Sequence, residues 1–263
     1  MSNLRNAGPG AKALGLSLLM AALAGFTWTL PRIPQPSEYH CFADQRACLG
    51  LPNCLDTASN LLFVLVGVAG LRFLYGATAH RVFIDPRERL PYALFFLATI
   101  LVGLASGLYH LAPDNGRLVW DRAAIALAFM AWLSAILGER VGIKAGLCLL
   151  LPLIGAGLGS VAYWDWSEAQ GMGDLRPYGL MQLTPMLLIL LLLWLYPPRY
   201  SGAGYILVVI ALYGLALLCD MGDYPIFTLT GGLISGHTIK HLVAALAAYW
   251  VVRYLQRRLS RCK

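Results

Sequence analysis

The chain has 263 residues, of which 59% are hydrophobic and only 13% charged, and it carries a formal net charge of +7. With a mean hydropathy of +0.65 it is too apolar for an ordinary water-soluble domain and too regularly patterned for disorder, so a bilayer is its expected solvent. The positive charge does not form a nucleic-acid surface; it gathers at the ends of apolar runs, where basic residues mark the cytoplasmic side.

A hydrocarbon core about 30 Å thick needs about 20 helical residues per crossing. Eight stretches approach that length, at 11–30, 55–76, 91–112, 117–138, 144–164, 177–197, 202–220 and 232–256. The predicted fold is all-α and membrane-embedded: a seven-transmembrane-helix bundle preceded by one extra N-terminal hydrophobic helix. Three units follow: an N-terminal hydrophobic helix over 1–31, a core over 32–256, and a basic tail over 257–263. The first helix reads as a retained anchor; Arg5 and Lys12 before an apolar run with small residues near Ala24 also fit a secretory signal. Cys41, Cys48 and Cys54 lie before the core, where an oxidising compartment permits a disulfide, but an odd number leaves the pairing open.

Placing the N-terminus inside sorts the charges. Arg81, Arg87, Arg140, Lys144, Arg199 and the tail fall on the inner side, against Arg32, Arg46, Arg117 and Arg176 outside. Both termini are thus expected in the cytoplasm and the opposite face outside. The tail reads as a flank at the lipid surface, and His80, in a basic inner loop, as a solvated residue.

Imidazoles and charges inside membrane spans are expensive and often mark function. Here they converge at one depth. Ser106 and His110 end the third stretch in SGLYH, Asp121 begins the fourth in VWDRAA, and His237 and His241 open the last in SGHTIKH. Residues four apart share a helix face, so His237 and His241 can address one ion, and Ser106 lies one turn from His110. Three His ligands with an open position make a catalytic zinc arrangement, whereas a structural site usually closes with a fourth protein ligand. Asp121 can orient a ligand or accept a proton, and Ser106 can donate a hydrogen bond to a developing oxyanion. A lone buried His is more often a hydrogen-bonded core residue than a ligand, and proton relays use the same residue types.

This pattern, S-x3-H, a helix-starting Asp and a terminal H-x3-H, resembles the signature of the superfamily that groups alkaline ceramidases, adiponectin and progestin receptors, and glycosylphosphatidylinositol lipid-remodelling proteins. The chain looks most like alkaline ceramidases and their bacterial ceramidase-domain relatives, through FADQR (42–46), DTASN (56–60), YHLAPDN (109–115), VWDR (119–122), GDLRPY (173–178) and SGHTIKHL (235–242), over roughly residues 40–256. The resemblance implies Zn2+ held by His110, His237 and His241, catalytic roles for Asp121 and Ser106, and intramembrane hydrolysis of the amide of ceramide or a related membrane lipid to a fatty acid and a sphingoid-type amine. It further implies a bacterial inner-membrane protein with its site near the periplasmic face. The acidic, tryptophan-containing calcium segment of the eukaryotic members is missing. Asp44, Asn53 and Asp56 offer oxygens in its place with Arg46 among them, so Ca2+ is not predicted.

Trp164, Trp166, Asp174, Arg176, Tyr178 and Gln182 bracket the junction of the fifth and sixth stretches; the aromatics read as interfacial anchors, and Asp174 and Arg176 either pair or read a lipid head group. Two other functions compete: a zinc-containing lipid receptor without turnover, and a proton-coupled transporter. The transporter fits less well, because the ionisable residues gather at one face with no matching path through the inner half.

Overall fold

The computed structural model describes residues 5–77 and 79–260, without the side chain of His80. The solvation expected of His80 and the last three residues of the tail lie outside that description. The described residues form ten helices and no sheet: α1 (Pro9–Thr29), α2 (Cys54–Ser59), α3 (Leu61–Leu74), α4 (Arg89–Leu111), α5 (Asn115–Arg140), α6 (Ile143–Ala169), α7 (Arg176–Leu195), α8 (Ala203–Met221), α9 (Asp223–Leu229) and α10 (Gly236–Arg257).

Among the described residues, seven segments are long and apolar enough to cross a membrane: α1, the joined α2–α3, α4 with the turn before it, α5, α6, α7 and α8. The eighth expected stretch is α10, which has 22 residues. At about 1.5 Å per residue it is long enough to cross. His237, Lys240, His241, Arg253 and Arg257 keep it below the hydropathy of the others. It also starts later than the expected 232, because Gly231 and Gly232 take positive φ and turn the chain between α9 and α10. Protein contacts from α8, α3 and α2 surround its polar start, so this helix does not need to be apolar there.

Neighbours in sequence pack against one another from α3 to α7, and α10 closes the bundle by lying between α8 and α3. Contact between α7 and α8 is sparse. The α3–α4 approach is close: a Cβ on Gly103 would stand 2.7 Å from the Asn60 carbonyl oxygen, so only glycine allows it.

Helix α1 buries none of its residues and lies against α7. The Arg176 guanidinium fastens its end, donating to the carbonyl oxygens of Leu30 at 2.5 Å and Trp28 at 3.2 Å while pairing with Asp174 at 2.7 Å. Of the two expectations for that pair, mutual pairing is what the structure contains. The guanidinium holds the Asp174 carboxyl below the usual carboxylate range. A disulfide joins Cys48 to Cys54 and leaves Cys41 free, which closes the pairing question.

The end of the bundle opposite the histidines holds a buried polar cluster of its own. Glu139 near the end of α5 accepts from Tyr92 at 2.7 Å and Tyr254 at 2.6 Å and pairs with Arg258, all buried. Arg258 also stacks on the Tyr200 ring, 3.9 Å from its centroid, and Tyr200 donates to the buried Glu88. Arg258 therefore turns into the bundle rather than serving as a solvated flank. Replacing it with methionine strands a buried carboxylate, at a cost of about 3–5 kcal/mol. Thermal unfolding in detergent should show Arg258→Met well below wild type and Glu139→Gln/Arg258→Met less impaired than the single variant; equal stability of all three contradicts this.

Candidate metal centre

Local signals deliver the three imidazoles to one place. Asp114 caps α5, its carboxylate accepting from the Arg117 backbone N–H at 2.7 Å, and this fixes the turn between His110 at the end of α4 and Asp121 early in α5. Ser235 caps α10 by accepting from the Thr238 N–H at 2.9 Å, which puts His237 in the first turn and His241 one turn on. Gly236 permits the close seat of that helix start. A Cβ there would stand 2.2 Å from the Cys219 carbonyl oxygen and 2.8 Å from the Asp223 Cα. Asp223 accepts from the His237 N–H at 2.8 Å and from the Ala43 N–H at 2.9 Å, tying the loop before α2 to the start of α10.

The rings of His110, His237 and His241 form a near-equilateral triangle, with centroids 4.9, 5.0 and 4.8 Å apart. All three are buried, and one ring nitrogen of each lies within 4.8 Å of the others. The Phe42 ring covers the group, 4.6 Å from the centroids of both His110 and His237.

The hydrogen bonds behind two of the three rings fit a metal, while Nδ1 of His110 is buried without a partner. Nδ1 of His237 lies 2.8 Å from Asp220 Oδ1. Nδ1 of His241 lies 2.8 Å from Ser59 Oγ and 3.2 Å from the Asp56 carbonyl oxygen; because Ser59 itself donates to that carbonyl, the imidazole is the donor. With both Nδ1 atoms protonated, both Nε2 lone pairs are free to bind, the usual arrangement behind ligating histidines. Nε2 of His110 is 3.3 Å from Nε2 of His237. Two nitrogens each about 2.0–2.1 Å from a tetrahedral zinc lie about 3.3 Å apart. A hydrogen bond accounts for that one pair but leaves the third ring unexplained. Lys240 Nζ, 3.1 Å from His237 Nε2 and 3.1 Å from Asp220, addresses the same lone pair, so its contact with Nε2 and metal binding exclude one another. Asp220 holds the ammonium in either case.

Beside the triangle, a cavity of about 410 Å³ reaches into the bundle, lined at its polar end by Ser106, Asp121, Asp220, Lys240 and His241 and farther in by Phe95, Val102, Phe129, Trp132 and Met186. The Ser106 hydroxyl faces the Asp121 carboxylate. Asp121 Oδ1 is buried with no hydrogen-bond partner. Residues of α7 and α8 form one side, at the seam where these helices barely touch. His237 faces a second recess, with Cys41, Asp220 and Asp223, on the other side of the triangle.

Comparison with known families finds no matching family model, and comparison with characterised proteins finds no match. Function must therefore be argued from these residues. The structure brings together all five residues picked from the sequence. Asp44, Asn53 and Asp56 do not converge: Asp44 pairs with Arg46 at 2.7 Å, Asn53 donates to the His110 carbonyl at 2.8 Å, and Asp56 accepts from Thr238 at 2.5 Å. Asp220, Lys240, Ser59 and Phe42 were not singled out as site residues. An acid ending one apolar run and a lysine between two histidines were the available signals.

Asp220→Asn should keep the fold and weaken metal binding about 10–100-fold, read by zinc titration against a competing chelator. His237→Ala should lose stoichiometric metal, and Gly236→Ala should impair it by pushing α10 off α8. Unchanged affinity in all three contradicts the site.

Proposed function

We propose that the protein is a zinc-dependent intramembrane hydrolase that cleaves the amide of ceramide or a related lipid to a free fatty acid and a sphingoid-type amine. One observation supports this reading: a buried carboxylate oxygen without a partner, on Asp121, stands with Ser106 at the polar end of an apolar chamber that His241 of the three-His group also lines. Buried carboxylate oxygens without a hydrogen-bond partner also occur on Asp56 and Glu88; the one on Asp121 differs in lining the cavity beside the histidines, where a substrate can meet it.

Zinc bound by His110, His237 and His241 supplies water activation and charge stabilisation at a carbonyl. The protein does the rest. The Asp121 carboxylate takes the proton of the attacking water and returns it to the amide nitrogen as the C–N bond breaks. Ser106 Oγ donates to the carbonyl oxygen as charge develops there. Phe42 shields the rings from bulk water, and the apolar walls hold the acyl chain, which enters through the α7–α8 seam. Asp220 and Ser59 keep the two α10 histidines in the tautomer that leaves Nε2 open.

In this reading α10 is the eighth crossing, both termini are cytoplasmic, and the site lies near the periplasmic face of a bacterial inner membrane. A transporter is disfavoured. Asp121 and Glu139 lie on one helix about 27 Å apart, with Phe96, Trp132, Leu133 and Ile136 in the buried core between the two polar ends, too far for a proton to hop unaided.

Purified protein should release fatty acid from a labelled lipid amide in proportion to its zinc content. Asp121→Asn should keep its zinc and lose at least about 100-fold in rate, the share a positioned base contributes. Stoichiometric zinc with no release from ceramides or other lipid amides points instead to a lipid receptor, and full turnover of the zinc-free protein overturns the mechanism.

A further inference from the structure

Arg122 is a cavity-lining cation that the proposed chemistry leaves without a role and that, unlike Lys240, no carboxylate among the described residues holds. It is 4% exposed and lines the cavity next to Asp121. Its guanidinium lies against three rings, 4.0 Å from the centroid of Trp164, 4.9 Å from Tyr178 and 5.2 Å from Tyr39. Rings satisfy the face of a guanidinium and leave its in-plane N–H groups needing acceptors. Only Nη2 has one, the Gln35 side-chain oxygen at 2.7 Å; Nε and Nη1 have none.

Among the described residues three other arginines are buried; Arg140 donates to the Tyr196 carbonyl, and the other two are each held by a carboxylate. Arg176 meets Asp174, and Arg258 meets Glu139. Arg122 has no carboxylate within 4.0 Å among the described residues. Lys240, the other Lys or Arg of the wall, is paired with Asp220. A permanently charged fork, stacked in place and short of acceptors, suits a planar anion.

Resting on the hydrolase reading, we propose that Arg122 receives an anionic head group, so that the chamber takes an acidic lipid amide of the N-acyl amino acid type in preference to a neutral one. The acyl chain lies in the apolar part of the cavity, the amide beside the histidines, and the carboxylate of the amine half against Arg122. Charge then selects the substrate where tail burial cannot, because every long-chain lipid amide offers the same apolar area.

The test uses full-length protein in detergent, stripped of zinc so that nothing turns over. Binding of N-palmitoylglycine, its neutral analogue N-palmitoylethanolamine and free palmitate is followed by calorimetry and by Trp fluorescence. Wild type should bind the glycine conjugate about tenfold or more tightly than the ethanolamide, the ratio expected of charge-assisted hydrogen bonds. Arg122→Gln should bring the two lipids to equal affinity, and Arg122→Lys should keep part of the preference. Equal affinities in wild type, a preference undiminished in Arg122→Gln, or an Arg122 dependence shown only by palmitate overturns the proposal. A poorly folding Arg122→Gln leaves the wild-type ratio and Arg122→Lys to decide. A purely structural Arg122 lowers the unfolding temperature and leaves the ratio alone. Since no measurement needs catalysis, a chain that hydrolyses nothing can still show the preference, and one that cleaves ceramide can still lack it.

Discussion

Three buried imidazoles packed ring against ring present nitrogen lone pairs to one small volume, and that is the constraint on which the rest of the structure turns. Polar atoms removed from water must be satisfied, and the protein satisfies the outer edges of His237 and His241 with Asp220, Ser59 and the Asp56 carbonyl while turning the inner edges toward one another. A cation answers all three lone pairs at once. The devices that set α2, α4, α8 and α10 around this point, the Ser235 cap, the Gly236 contact and the Asp223 tie, secure the same volume.

The bundle separates two kinds of polarity. At the end holding the histidines, acceptors and charges border a cavity; Asp121 and Arg122 keep atoms without partners there. At the other end Glu139, Arg258 and the surrounding tyrosines are packed against one another. In the proposed reading the first cluster keeps such atoms for a substrate. The second spends buried charge on fixing how α4, α5 and α10 meet. Arg258 and Arg122 illustrate the contrast, since Arg258 finds a carboxylate and Arg122 finds only rings and one amide.

Much of this was legible in the sequence because membrane helices announce themselves by length and hydropathy, and because His, Ser and Asp are costly there. The order of Ser106, His110, Asp121, His237 and His241 sufficed to place them at one end, since each sits at a fixed end of its helix. Less was legible where a residue's role depends on which helix lies across from it. Asp220 ends one apolar run and Lys240 interrupts another, and neither pattern reveals that α10 lies beside α8. Arg258 looked like one more basic tail residue, because nothing local reveals that the chain turns inward after α10 to meet Glu139. The reading of α10 as an apolar span missed for a similar reason: surrounding protein, not lipid, contacts its start, and hydropathy averages over that distinction.

The central claim is that His110, His237 and His241 hold one zinc ion, and X-ray absorption at the zinc edge of the purified protein tests it most directly. The account predicts three imidazole nitrogens at about 2.0–2.1 Å with one further light ligand, and loss of imidazole scattering in His110→Ala. Sulfur in the first shell, or a spectrum indifferent to His110, would contradict it.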